Sequence, residues 1–153
     1  MNDRSQSWIV CERTGRWIAA LRQAVDRAAK KRGNPSSSNI RETRTLADFN
    51  AACCERPATL GLVEVRIESF AAILDLLSSE GTRRVPIVAL LHEPLPADVL
   101  REAGALAVID SPRRIASVLE LAKQASTMQS HPHDVESMPI ADWAWAALPW
   151  QDA

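Results

Sequence analysis

The sequence predicts an α/β domain built on one doubly wound, five-stranded parallel sheet. Three observations point there. Short apolar runs rich in β-branched residues alternate with segments whose apolar residues recur every three or four positions. The passage RVPIVALLHEPLPADVLREAGALAVIDSP, residues 84–112, holds a full strand–helix–strand unit punctuated by Gly104. Its strands are continuously apolar rather than alternating, as expected of a sheet covered on both faces. The chain has 153 residues, 46% of them apolar and 24% charged, which suits one domain with a real core and some chain to spare.

Taken in order, residues 8–12 (WIVCE) form a short apolar run ending in an acid and read as the first strand. Thr14 stands where it could cap a helix over about 15–31. There Trp17, Ile18, Leu21, Ala24, Val25 and Ala28 share one face, and Gly33 ends the helix. Residues 34–39 (NPSSSN) are a loop by composition. Residues 40–45 are polar and read as an edge strand, where one open face tolerates Arg41, Glu42 and Arg44. A helix over 46–55 buries Leu46, Phe49, Ala52 and Cys53 and stops before Pro57. Residues 59–65 (TLGLVEV) are the third strand. The helix over 69–79 turns Phe70, Ile73, Leu74 and Leu77 inward and closes at Gly81. Strand 85–91, helix 96–103 and strand 105–109 follow. Pro112 and Arg113 then open a last helix to about 125, with Ile115, Val118, Leu119, Leu121 and Ala122 on its apolar side.

The domain is expected over 1–127. Residues 128–138 (MQSHPHDVESM) are polar and aperiodic and read as a linker. Residues 139–153 (PIADWAWAALPWQDA) form a tail that holds three of the five tryptophans. Trp143, Trp145, Leu148 and Trp150 make an apolar cluster that is costly to leave in water. Two readings stand side by side: the tail folds back on its own domain or across a dimer, or it anchors in the groove of another protein.

Composition narrows the function classes. A net charge of -1 gives no bulk attraction to nucleic acid or to an anionic membrane. The basic residues around the first helix, with Arg41 and Arg44, are interleaved with Asp26 and Glu42 and read as a solvated face. Cys11, Cys53 and Cys54 lack metal or disulfide spacing and read as small, reduced core residues. The start MNDRSQSW has no signal-like apolar stretch and no run is long enough to span a bilayer, so a cytoplasmic protein is expected. No glycine-rich loop precedes a helix, and no Ser-His-Asp or Cys-His set suggests itself. His131 and His133 sit in the linker, with no metal role expected, and no cofactor is expected either.

The residues resemble one known family, the receiver domains of response regulators. The five strand–helix pairs over about 7–126 match it in number and length. The run Arg84–Leu91 is similar to its fourth strand. Arg101-Glu102-Ala103-Gly104-Ala105 and Val108-Ile109-Asp110-Ser111-Pro112 are similar to its passage into the fifth strand and last helix. The resemblance implies the flavodoxin-like order 2-1-3-4-5, with function at the carboxyl ends of the strands. It also implies a reacting site in which acids hold Mg²⁺ and an Asp accepts a phosphoryl group, assisted by a Ser or Thr and a Lys. Here the acid pair falls on Glu12 and Arg13, the acceptor on Glu64, the hydroxyl on Leu91 and the lysine on Ser111. Pro112 is retained, and the resemblance implies a cis bond before it.

Most of the reacting set is thus replaced, and the expectation is a degenerate receiver, non-enzymatic, acting by protein contact or self-association in signalling. Glu64 is expected to be solvated or paired with Arg13 or Arg66, with mimicry of a phosphorylated acid as the alternative. Two other functions compete. One is a small-molecule or anion sensor using a vacated pocket lined by Glu12, Arg13, Glu64, His92 and Ser111. The other is a receiver that is phosphorylated at a displaced acid such as Asp75 or Asp110.

Overall fold

The computed structural model describes residues 6–33, 38–55 and 58–129. Five strands form one all-parallel sheet in the order β2-β1-β3-β4-β5, as expected. They are β1 (Ser7–Cys11), β2 (Asn39–Thr43), β3 (Leu60–Val65), β4 (Ile87–Leu91) and β5 (Ala107–Ile109). The helices are α1 (Arg16–Arg32), α2 (Leu46–Glu55), α3 (Phe70–Ser78), α4 (Ala97–Glu102) and α5 (Ile115–Gln129).

Every residue of β3 and β4 is buried, which is why these runs are apolar without a break. Side-chain alternation sorts them into two cores. Val63, Val65, Ile87, Ala89 and Leu91 join Phe49, Ile73 and Leu100 on the face covered by α2, α3 and α4. Leu60, Leu62, Val88 and Leu90 join Trp8, Trp17, Leu21 and Val118 on the face covered by α1 and α5. Trp8 and Trp17 are both 1% exposed, so two of the tryptophans are core residues. Gly61 in β3 has a packing reason: a Cβ there would stand 2.9 Å from Phe49 Cζ.

The edge strand β2 leaves most of its side chains to solvent, and they pair outward. Arg22 bridges to Glu42, and Arg41 meets Glu55 at 2.6 Å. α1 ends as expected on Gly33, in the left-handed conformation at φ 69° with its N–H on the Lys30 carbonyl.

Several expectations are corrected. α3 does not close at Gly81. It ends at Ser78 with Ser79 as its cap, and the Thr82 hydroxyl donates back to the Leu76 carbonyl at 2.6 Å, satisfying a terminal acceptor without a glycine. α5 runs to Gln129, past the end expected near 125, because no Gly or Pro interrupts it there. Cys54 is exposed, unlike the buried Cys11 and Cys53, because it lies on the outer side of α2. Burial pushes the Cys53 thiol up to about 11 and raises that of Cys11. Ala24 and Ala28, expected on the buried face of α1, are only half-buried. The remainder of the 128–138 linker and the tail with Trp143, Trp145, Leu148 and Trp150 lie outside the described residues.

Candidate functional site

The carboxyl ends of β1 and β3 bring two acids to one place. In the parallel register Cys11 lies opposite Val63, so Glu12 comes level with Glu64. Both continue the side-chain rows that face α1 and α5, and both are buried, at 4% and 6% exposure. Neither side chain hangs free, as the hydrogen bonds show.

Glu12 acts as the N-terminal cap of α1. The helix starts on Gly15, at φ 77°, which offers no side chain to its first N–H groups. The Glu12 carboxylate takes their place, accepting from Trp17 N–H at 2.9 Å and from Ile18 N–H at 2.6 Å. An anion at a helix start is favoured by the dipole as well as by the two donors. Behind it, Arg44 Nη1 donates to the carbonyls of Glu12 and Arg13, each at 3.2 Å, which ties the β1–α1 turn to β2.

Glu64 is held by three groups. Its Oε2 accepts from the Arg13 backbone N–H at 2.9 Å. Its Oε1 stands 3.3 Å from Arg66 Nη2 and 3.2 Å from His92 Nδ1. Of the two, Arg66 Nη2 donates a hydrogen bond to that oxygen, and the His92 ring stands beside it. Arg66 is itself braced, with its N–H on the Ser69 hydroxyl at 3.2 Å and that hydroxyl returned to the Arg66 carbonyl. The site therefore contains a buried anion with its charge already answered.

The expected positions divide accordingly. Glu12 and Glu64 come together, while Arg13 contributes its backbone N–H, and its exposed side chain forms no ion pair with Glu64 among the described residues. Leu91 does not belong to the site. It is buried on the opposite face with Ile73 and Leu100, because alternation turns it away from Glu64. His92, one residue later, is the β4-side group that reaches the acid. Ser111 caps the turn 112–114 instead, accepting from Arg113 N–H at 3.3 Å. The bond before Pro112 is trans, since no cis peptide occurs among the described residues. Pro112 opens that turn, where a trans proline's fixed φ and missing N–H are both accommodated. Arg44 and the bracing of Arg66 by Ser69 escaped the sequence reading. Strand parity was the signal that could have replaced Leu91 by His92.

The acids do not fit a hard cation. A Mg²⁺ ion takes carboxylate oxygens and keeps several waters in an octahedron. Here both Glu12 oxygens face backbone donors, an arginine follows it, and Glu64 faces a guanidinium and an imidazole. Among the described residues no three His, Cys, Asp or Glu side chains converge on a point that could hold a metal.

A cavity of about 440 Å³ opens to one side, between the ends of β4 and β5. It includes His92 but none of Glu12, Arg13, Glu64 and Ser111. Its two arginines are engaged, Arg101 with Asp98 at 2.8 Å and Arg114 with Asp110 at 3.5 Å.

No protein-family model and no curated relative matches the sequence. Solved structures do match in shape. A response regulator from Hahella chejuensis is 18% identical with a TM-score of 0.55, covering 88% of this chain and 100% of its own. A CheY-like protein (tadZ) from Pseudomonas aeruginosa PAO1 is 14% identical with a TM-score of 0.57, covering 91% and 100%. A putative pilus assembly-related protein from Burkholderia pseudomallei K96243 is 13% identical with a TM-score of 0.53, covering 79% and 91%. Strand order, helix placement and these likenesses agree: the chain has the fold of the response-regulator receiver domains.

Proposed function

We propose that the chain is a non-catalytic regulatory module of signalling that works by protein contact, on a receiver scaffold without a phosphoryl switch. One observation carries this reading. The group at the acceptor position, Glu64, is a buried carboxylate already bound by Arg13 N–H, Arg66 and His92. A nucleophile must present a free oxygen lone pair to phosphorus and draw on a cation to screen the incoming charge. Both Glu64 oxygens already accept from internal partners, and Arg66 stands beside it as a fixed counter-charge. Receiver domains in general act through protein interactions rather than catalysis. The contact surface proposed here joins the exposed Val99 of α4 and Leu106 before β5, 39% and 48% exposed, with the Trp-rich tail.

The test is treatment of the full chain with acetyl phosphate and Mg²⁺, followed by intact-mass measurement and Phos-tag electrophoresis. The expected result is no adduct. A Mg²⁺-dependent phosphoryl adduct that disappears in Glu64→Gln would overturn the reading, and one that persists in Glu64→Gln would move the switch to another acid.

A further inference from the structure

α1 and α5 do not close over each other completely, and a groove of about 530 Å³ lies between them. Its floor is apolar, formed by the half-buried Ala20, Ala24 and Leu119 with the buried Ile115. Its rim is cationic, formed by the exposed Arg27, Lys31 and Arg113. None of these three takes part in the ion pairs formed among the described residues. Glu120 also borders the groove, and Lys123 holds it.

The segment that follows α5 has the opposite character. Residues 130–153 contain Asp134, Glu136, Asp142 and Asp152 and no Lys or Arg. Within it Trp143, Trp145, Leu148 and Trp150 supply a concentrated apolar surface. We propose that this acidic, tryptophan-rich segment of the same chain docks in the α1–α5 groove. The indoles cover the alanine and leucine floor, and the carboxylates face Arg27, Lys31 and Arg113. The proposal rests on the reading of the tail as an interaction segment and names its seat.

Reach permits it. Thirteen residues, 130–142, separate the end of α5 from Trp143. At about 3.3 Å each they span up to about 43 Å. The path back along α5 from Gln129 to Ile115 is about 21 Å at 1.5 Å per residue. A short tether also sets a local concentration on the order of millimolar, which favours the chain's own tail over that of a second copy. A partner that recognises the tail would then compete with the groove for it, so docking would regulate access to the tryptophans.

The test is acrylamide quenching of tryptophan emission in the full chain, with mass by light scattering and unfolding followed by circular dichroism. Trp8 and Trp17 are core residues, so the other three report on the tail. The expected result is a monomer with all five tryptophans protected, independently of protein concentration. In Arg27→Glu/Lys31→Glu/Arg113→Glu the quenchable share should rise toward three of the five, with the unfolding midpoint of the domain retained. If that variant does not fold, Ala24→Gln, which narrows the floor without adding charge, must give the same rise. Three freely quenched tryptophans in the unaltered chain would overturn the proposal. So would equal protection in the groove variants, or protection that grows with concentration alongside dimer mass. A phosphoryl adduct with quenching as expected would sink the proposed function and leave the groove standing.

Discussion

The two ends of the strand row, β1 with β3 and β4 with β5, are built to different standards. At β1 and β3, Glu12 and Glu64 are buried and every oxygen is matched to a donor from α1, the β1–α1 turn, Arg66 or His92. At β4 and β5, Asp110, Arg101 and Arg114 are exposed and pair loosely around an open cavity. Burial makes the difference matter. A charge withdrawn from water depends on its partners, whereas an exposed pair is continually replaced by solvent and screened by salt. The acids at the first end are therefore structural members, and the second end has the character of a surface.

The largest expected effect comes from Glu64→Ala. It removes the anion and leaves Arg66, the Arg13 N–H and His92 facing an emptied buried site, at a cost of about 3–5 kcal/mol. Urea denaturation should show this as a fall in midpoint at constant slope. Glu64→Gln keeps the volume and one acceptor oxygen and should recover part of the loss. A loss in the alanine variant below about 1 kcal/mol would mean that the acid is solvated and the contrast between the two ends false.

Glu12→Ala should come next. It strips the cap from α1 and leaves the Trp17 and Ile18 N–H groups without acceptors, costing about 1–3 kcal/mol for unmet buried donors. Because Trp17 is in the core, the loosened first turn should also register as faster amide exchange at residues 17 and 18 while exchange in β3 is unchanged. Equal acceleration in β3 would show that the two acids form one cooperative unit.

How far this was legible in the sequence follows the same division. The fold was readable because β3 and β4 are buried on both faces, so their residues carry an unbroken apolar signal. The positions of Glu12 and Glu64 followed from the strand ends. Their partners did not, since Arg44 reaches from β2 across 32 residues of sequence and no local pattern records that. The exchange of Leu91 for His92 is a one-residue matter of parity, and a resemblance fixes a strand end only to within such a step. The Ser111 hydroxyl, expected to help line a vacated pocket, takes a local role instead, because serine before proline is also the ordinary start of a helical turn.

Ser111→Ala probes the second end and should have the smallest effect. The hydroxyl accepts one N–H, from Arg113, at 3.3 Å and at an exposed position where water can substitute. Its loss should cost less than about 1 kcal/mol, within the range of a surface cap. The altered chain should give unchanged amide exchange in β1 and β3, because no bond runs from Ser111 to Glu64 among the described residues. Were Ser111→Ala to destabilise the chain as much as Glu12→Ala, the hydroxyl would have to be coupled to the buried acids. The two ends of the strand row would then be one site, and the separation of a structural from a superficial half would fail at its weakest member.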